Sequence, residues 1–361
     1  MIGVAVLDFG GPQSEDELVP FLTNLLTDVL PGPAMVKGIA APRIARSRAR
    51  TVGPHYASIG WSPLVPTHRR QVEALRAALA TQDGATEAPP LASGMMFTAP
   101  TMDEAVASLR TQGVDRIVAL PMFPHHSIAT TQAAFSFFHD ALVRAGWGEV
   151  PVRWIPAYPE HPSYVEALAN TIRAGVAATP GDPADPVHLL FTPHGLPVSW
   201  VTDRGDPYPD QIRASVRAAI RLLGWTGPYH VGWQSRVGPV RWLTPSTPDA
   251  LDAIAAAGGK RVCMVPISFA SEHIETLYEI DVEYRAHAEQ RGITGFGRAP
   301  ALGVEPAFVD CLADLVRTGI ASFGRYECVR CLMPKDDAHR RRPSCPNCRF
   351  KTPAYLREGR A

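Results

Sequence analysis

Three glutamates recur every four residues in the stretch SEHIETLYEIDVEY: Glu275, Glu279 and Glu283. On a helix their side chains would lie one above another on a single face. Like charges at this spacing destabilise a helix, and the stretch contains no lysine or arginine to relieve them. Oxygen ligands hold a divalent cation loosely enough to release it. The spacing therefore favours a line of carboxylates that passes on a hydrated cation, with a solvated acidic face as the alternative.

His194 is a second residue that could take part in chemistry. It lies in the stretch TPHGLP, between an apolar run and a turn that contains proline and glycine. Histidine titrates near neutral pH, so it can accept a proton or bind a metal. It can equally be an ordinary loop residue, and the composition of the stretch leaves both interpretations open.

Two Cys-x-x-Cys pairs lie near the end of the chain. Their members are Cys328, Cys331, Cys345 and Cys348. Four thiolates spaced in this way make a tetrahedral zinc site or an iron–sulfur cluster. The pattern favours metal binding in a reducing cytoplasm over a disulfide framework. The other two cysteines, Cys263 and Cys311, stand in apolar stretches and are predicted to be core residues.

The composition excludes several classes of function. The chain carries 35 basic and 35 acidic side chains, so its net charge predicts neither nucleic-acid nor membrane-surface binding. The basic run HRRR at His339–Arg342 is the local exception. No apolar run reaches the roughly 18 residues that span a bilayer. The N-terminal MIGVAVLDFGGP lacks a basic region and is interpreted as a buried strand, so we expect a cytoplasmic protein.

Short apolar runs alternate with stretches of helical period along the chain. The predicted strands lie in GVAVLDF, PLASGMMF, RIVALPMF, VRWIPAY, VHLLFTP, YHVGWQS and RVCMVPISF. The predicted helices lie near Glu15–Thr27, Val65–Ala80, Met102–Gln112, Thr131–Arg144, Ser163–Ala178, Pro209–Leu223, Pro248–Ala257, His273–Gln290 and Pro306–Ser322. This alternation predicts an α/β fold with parallel sheets covered by helices. Polar residues gather at the strand ends, where such folds bind ligands.

A weak internal repeat suggests how the elements are divided. GVDRIVALPMF at Gly113–Phe123 resembles GGKRVCMVPISF at Gly258–Phe269. Buried βα units often resemble one another, which is one explanation. The other is two similar Rossmann-like, doubly wound halves around a cleft, predicted at residues 1–148 and 149–322. The last helix would then pack back on the body, before a cysteine-rich tail at 323–361.

Six motifs in order resemble the ferrochelatase family, whose members insert ferrous iron into a porphyrin in haem synthesis. The motifs are LDFGGPQS, IGWSPLVPTHRRQ, LPMFPHHSIATT, TPHGLPVSWVTDRGDPYPDQI, WQSRVGPVRWL and PISFASEHIETLYEIDVEY. The resemblance runs from about Gly3 to Ser322. It implies two Rossmann-like domains around a porphyrin cleft, with a porphyrin and Fe²⁺ as substrates and no nucleic-acid partner.

The resemblance also implies roles for single residues. His194 and Glu275 match the family's catalytic histidine and glutamate, which would also contact the substrate iron. Glu279 and Glu283 match an acidic line proposed to conduct metal or protons. The residues implied to contact the porphyrin are Phe9, Ser62, His126, Phe269 and His273.

Some positions depart from the family pattern. Met96 stands where many relatives have an arginine that faces the cleft. His126 stands where a tyrosine is usual, so it is either a polar contact or a packing residue. Some members carry a 2Fe-2S cluster near the C-terminus, which makes this cluster the first expectation for the tail cysteines and Zn²⁺ the alternative.

Two further expectations concern the substrate and the membrane. The resemblance slightly favours protoporphyrin IX over coproporphyrin III. The apolar stretch Phe21–Leu30 is a candidate for peripheral membrane contact, with an ordinary amphipathic helix as the alternative.

Three other functions compete with iron insertion. One is another tetrapyrrole chelatase, of the cobalt or sirohydrochlorin type. Another is a non-catalytic porphyrin or haem carrier, which would not need the acidic line. The third is a zinc-ribbon nucleic-acid binder, suggested by HRRR but disfavoured by the neutral charge and the large α/β body.

Overall fold

The computed structural model describes residues 1–30, 33–81, 88–236, 238 and 240–323. The strands are β1 (Ile2–Asp8), β2 (Leu91–Met95), β3 (Arg116–Pro121), β4 (Val152–Trp154), β5 (Val187–Phe191), β6 (Tyr229–Val231), β7 (Arg261–Val265) and β8 (Gly295–Arg298). They form two parallel four-stranded sheets with the orders β2-β1-β3-β4 and β6-β5-β7-β8. The two sheets share one connection pattern in which β3 matches β7. The predicted α/β fold and its internal repeat are confirmed.

Helices flank the sheets. The α-helices are α1 (Glu15–Val29), α2 (Ala34–Ser58), α3 (Leu64–Thr81), α4 (Met102–Thr111), α5 (Ala133–Arg144), α6 (Pro162–Ala178), α7 (Val198–Thr202), α8 (Tyr208–Leu223), α9 (Thr247–Ala256), α10 (Arg285–Gln290) and α11 (Pro306–Ala321). Two π-helices are π1 (Ile128–Gln132) and π2 (Glu275–Tyr284). Thr101 and Glu104 form a capping box at the start of α4.

Alternating residues of β1 enter two different hydrophobic cores. Val4 and Val6 belong to a core that also contains Leu189 and Phe191 of β5, so it lies between the two sheets. Ala5 and Leu7 point the other way, into a core that is formed within the first half. Because both faces of the strand are buried, its sequence is a continuous apolar run.

The two halves are not divided at residue 148. Strand β4 lies beyond that position, yet it pairs with β3 in the first sheet. Helix α11 contacts α3 and β3 of the first half and α6 of the second. The last helix therefore packs across both halves, and each half contributes to a shared core.

Some elements of the structure differ from the sequence predictions. Helix α2 and strand β8 were not among the predicted elements, and the helix predicted at His273–Gln290 consists of π2 followed by α10. The four tail cysteines, with HRRR, lie outside the described residues. Within the described part of the chain, no helix is both long and apolar enough to cross a membrane.

Candidate active site

The loops that follow β5, β6 and β7 meet at the carboxyl edge of the second sheet. The backbone N–H of Gly195 donates to the carbonyl of Gln234 at 2.8 Å, which joins the loop after β5 to the loop after β6. The N–H of His194 donates to the hydroxyl of Ser268, after β7, at 3.3 Å. These bonds fix the backbone around His194 from two sides.

His194 and Glu275 form a hydrogen-bonded pair. Nδ1 of His194 lies 2.8 Å from Oε2 of Glu275. An ionised carboxylate only accepts hydrogen bonds, so Nδ1 must carry the proton. Nε2 of a neutral His194 is then a free acceptor, on a side chain that is 37% exposed. The geometry suits a base that faces solvent and is oriented by a carboxylate behind it.

The charges of this pair support each other. Burial opposes ionisation of Glu275, but His194 and His273 outweigh it and hold the pKa of the carboxyl well below its ordinary value. Burial likewise opposes protonation of His194, yet the Glu275 carboxylate raises the pKa of the imidazole. Nε2 of His273 lies 3.7 Å from Oε2, the same oxygen of Glu275 that contacts His194. Glu275 is therefore an anion at neutral pH.

Glu279 has a different environment. Its Oε2 accepts hydrogen bonds from the Ser235 hydroxyl at 2.6 Å, the Gln234 amide at 3.3 Å and the Tyr284 hydroxyl at 3.4 Å. Burial and the nearby charge of Glu275 nevertheless raise the pKa of Glu279 to about 7. This carboxyl can therefore gain or lose a proton at neutral pH.

The backbone of Ser235 is unusual. Its φ of 60° lies in the left-handed region, which a residue with a Cβ seldom adopts. Such conformations persist only where surrounding contacts impose them, and they concentrate at functional sites. Here the conformation accompanies the short hydrogen bond from Ser235 to Glu279.

The acidic line runs from the interior to the surface. The Glu275 side chain is 20% exposed, Glu279 is half-buried and Glu283 is exposed. All three lie on π2, whose backbone has the i→i+5 hydrogen bonding that is often found at functional sites. The structure thus places Glu275 and Glu279 partly buried and Glu283 at the exposed end of the predicted line.

The first half reaches the same site through α2. The rings of His55 on α2 and Tyr278 on π2 stack with centroids 4.0 Å apart. Burial raises the pKa of Tyr56, and the charges of Glu275 and Glu279 raise it further, so its phenol lies close to these carboxylates. Helix α2 therefore covers the line of acids from the opposite half of the molecule.

The predicted porphyrin contacts come from both halves of the molecule. Phe269 packs against His273, with ring centroids 4.3 Å apart, next to Glu275. Phe9 is half-buried in the first half and packs edge-to-face on Phe97 at 4.7 Å. Ser62 is buried beside it, where its N–H donates to the carbonyl of Pro12.

His126 is almost enclosed, with 5% of its surface exposed. Burial lowers the pKa of its imidazole to about 4, so the ring is neutral at physiological pH. Its backbone N–H donates to the Gln211 side chain at 2.7 Å, which ties the loop after β3 to α8. Met96 is also buried, in the core of the first half.

Several residues at the site were not singled out from the sequence. Gln234 and Ser235 both contact Glu279, and their signal was the motif WQSRVGP at a strand end. Arg298 at the end of β8 contacts Asp281 of π2 and Glu272 before it. It gave no signal, because β8 itself was not predicted.

Comparison with known proteins identifies close relatives. The family model "Ferrochelatase" matches residues 1–320. A ferrochelatase of Geobacter metallireducens is 41% identical over 319 residues, covering 87% of this chain and 97% of the relative. A ferrochelatase of Synechococcus sp. is 37% identical over 328 residues, covering 89% of this chain and 83% of the relative.

The solved structure of SirB from Bacillus subtilis with Fe³⁺ has a similar fold, with a TM-score of 0.52. It covers 90% of this chain and 98% of SirB at 11% sequence identity, which supports a likeness of fold alone.

Proposed function

The chain belongs to the ferrochelatase family, and we propose how its site carries out that family's reaction, the insertion of Fe²⁺ into a porphyrin to make haem. The reaction must remove two pyrrole protons and admit one divalent ion. Both tasks need groups that accept protons near neutral pH, and the ion needs oxygen or nitrogen ligands. The observation that supports our assignment most directly is the contact between His194 and Glu275.

We assign proton removal to His194. Its Nε2 accepts a pyrrole proton, and the Glu275 carboxylate stabilises the imidazolium that forms. The pair resembles other catalytic histidines that are oriented by a carboxylate. Distortion of the bound macrocycle would expose its nitrogen lone pairs, at the expense of binding energy gained elsewhere on the ring.

We assign the line on π2 to transfer between the site and solvent. Glu283 is exposed, Glu279 can carry a proton at neutral pH, and Glu275 lies against His194. A proton taken by His194 can therefore leave through Glu275 and Glu279 to the exposed Glu283, and Fe²⁺ can meet carboxylate oxygens in the reverse order. The three acids do not carry the same charge, which suits a route better than a permanent metal site.

The test compares two histidine–carboxylate pairs in the same protein. A positioned acid–base group typically contributes 10²–10⁴-fold, so His194→Ala should slow iron insertion by at least about 100-fold. Glu275→Gln should also cripple insertion while leaving porphyrin binding in place. His287 and Asp252 form a surface pair at 2.7 Å, and His287→Ala is the control. Near-normal turnover in folded His194→Ala would remove His194 from the chemistry.

We propose that the protein prefers protoporphyrin IX to coproporphyrin III as its porphyrin substrate. Coproporphyrin III carries two more propionates, and buried carboxylates need cationic partners. Met96 replaces the arginine of many relatives, and the apolar core around it contains Phe21 and Phe97, in mutual edge-to-face contact with the half-buried Phe9. The ratio of kcat/KM for the two porphyrins tests the choice, and a higher value with coproporphyrin III would reverse it.

We also propose that the tail cysteines hold a 2Fe-2S cluster, with Zn²⁺ as the alternative. The support is their spacing in the sequence, since all four lie outside the described residues. Cys263 and Cys311 are fully buried, and burial raises the pKa of both thiols, so neither is a ready additional ligand. Iron and sulfide content with visible absorption would support the cluster. One zinc ion per chain, with no visible absorption, would instead support the zinc site. A reducing, cytoplasmic location remains a prediction of the same cysteine pattern.

Peripheral membrane contact remains a proposal, but through a different surface from Phe21–Leu30. Phe21, Leu22 and Leu26 of that stretch are buried in the first-half core. Exposed apolar side chains lie on α2 instead, at Met35 (79%) and Ile39 (58%). Helix α2 also carries five basic residues and no acidic one. A basic helix with exposed apolar residues suits an anionic lipid surface.

Sedimentation with lipid vesicles tests this surface. We expect binding to vesicles with phosphatidylglycerol, weaker binding to neutral phosphatidylcholine, and loss of binding in Met35→Ser/Ile39→Ser. Leu222 on α8 is 49% exposed outside this surface, so Leu222→Ser is the matched control. Equal binding by the double variant and the wild type would contradict the proposal.

A further inference from the structure

Arg298 is not part of the acidic line, but it contacts two residues of the segment that carries the line. Arg298 is the last residue of β8. Its guanidinium donates two hydrogen bonds to the carboxylate of Asp281 on π2, from Nε to Oδ1 at 2.9 Å and from Nη2 to Oδ2 at 2.8 Å. Its Nη1 also lies 2.8 and 3.0 Å from the two carboxylate oxygens of Glu272. The Arg298 side chain is only 12% exposed, so its contacts are with the protein.

The two residues that Arg298 contacts lie on either side of Glu275 and Glu279 in the sequence. Glu272 lies just before Glu275, and Asp281 lies between Glu279 and Glu283. Glu272 also accepts a hydrogen bond at 2.9 Å from the N–H of Ala301, a few residues after β8. The segment is therefore tied to the sheet both before π2 begins and within it.

The anchor belongs to the second sheet. Strand β8 pairs with β7 at the edge of that sheet, and Arg298 is in register with Met264 of β7. Helices of the π type are rare and usually only one turn long, so a ten-residue example depends on contacts outside the helix. A bidentate arginine–carboxylate contact fixes direction as well as distance.

We propose that Arg298 is a positioning residue, which holds the line Glu275–Glu279–Glu283 in place against His194 through Asp281 and Glu272. The proposal rests on the function proposed above for that line. Misplacement of a reacting group by about 1 Å can cost roughly 10²-fold in rate. Removal of the anchor should therefore slow iron insertion, although Arg298 touches neither substrate.

A purely structural ion cluster would also explain the contacts, and a compensated variant separates the two roles. Arg298→Met alone leaves two carboxylates without their partner, so it would lower stability in either case. The triple variant Glu272→Gln/Asp281→Asn/Arg298→Met removes all three charges together. Replacement of a whole buried ion cluster by neutral residues is often tolerated. The triple variant should melt near the wild-type temperature, yet no longer hold π2 by bidentate contacts.

We expect the triple variant to bind porphyrin within about twofold of the wild type and to lose roughly 10- to 100-fold in kcat for iron insertion. Wild-type kcat in the folded triple variant would overturn the proposal. Should the triple variant not fold, Arg298→Lys provides the same test, because lysine keeps the charge but not the planar fork. A folded Arg298→Lys protein with wild-type kcat overturns the proposal as well.

Two controls accompany these variants. Arg291 grips Asp252 at 2.8 and 3.3 Å on the surface, without contact to π2, so Arg291→Met should keep wild-type kcat. Glu279→Gln tests the line itself. Full activity in Glu279→Gln would refute the function assigned to the line. Loss of activity there, with full activity in the folded triple variant, would refute only the role of Arg298.

Discussion

Glu279 combines two properties that make its replacement informative. It lies in the acidic line, and its pKa is raised to about 7 by burial and by the charge of Glu275. Glu279→Gln keeps the size of the side chain and an oxygen that can accept from Ser235 and Gln234. It removes only the ionisation. We therefore expect the variant to lose activity and, at alkaline pH, to gain stability.

The size of the gain follows from the two pKa values. In the unfolded chain the carboxyl titrates near its ordinary 4.5, and in the folded protein near 7. The folded state therefore binds the proton more tightly, and the wild type loses stability as pH rises between these values. At about 1.4 kcal/mol per pH unit, the loss is at most about 3.5 kcal/mol well above pH 7. About 2.5 kcal/mol of it should develop between pH 5 and pH 8.

Denaturant unfolding of the metal-free protein at pH 5 and pH 8, followed by tryptophan fluorescence, measures this difference. Glu279→Gln should be more stable than the wild type at pH 8, with a much smaller advantage at pH 5. Glu283→Gln is the comparison, since Glu283 is an exposed carboxylate on the same helix whose charge only adds to the shift at Glu279, and at pH 8 it should stabilise the protein less than Glu279→Gln does. An advantage of Glu279→Gln that is equal at both pH values, or absent, would refute the reasoning.

Other residues give simpler predictions. Ser235→Ala removes the 2.6 Å hydrogen bond that lowers the pKa of Glu279, so the pH at which activity depends on Glu279 should rise, as measured in a pH–rate profile. The Gln71 amide donates to two carbonyls across the halves, at 3.0 and 2.8 Å, and Gln71→Leu should cost about 1–3 kcal/mol in denaturant unfolding because both lose this donor. Phe308 of α11 is fully buried in the core between the sheets, and Phe308→Ala should cost about 3–5 kcal/mol in the same assay.

The parts of the fold that could be predicted from the sequence are those with strong local patterns. Seven of the eight described strands lie within the predicted apolar stretches, and the clearest is β1, a continuous apolar run of the kind that a strand buried on both faces requires. Strand β8, GFGR, is short and contains two glycines, so it carries neither a run nor an alternation. Helix α2 contains Pro42 and Pro54 and buries few side chains, so its apolar periodicity is weak.

The candidate site likewise contains some residues that could be predicted from the sequence and others that could not. His194 and Glu275 could be named because each lies in a segment that follows a predicted strand and because both match motifs of the ferrochelatase family. Their 2.8 Å contact joins residues that are 81 positions apart and depends on the order of the strands. The role of Arg298 required knowledge of β8, and the covering position of α2 required knowledge of how the halves pack.

The apparent electrostatic fault in three stacked glutamates has a physical resolution in the structure. Repulsion along a helix matters only when neighbouring acids are charged together. His194 and His273 stabilise the negative charge of Glu275, Glu279 has a pKa near neutrality, and Glu283 is exposed to solvent. Glu279, the middle acid, can therefore be neutral for part of the time. A divalent ion or a proton that moves along the line would supply the missing positive charge at each step, so the repulsion that remains favours their uptake.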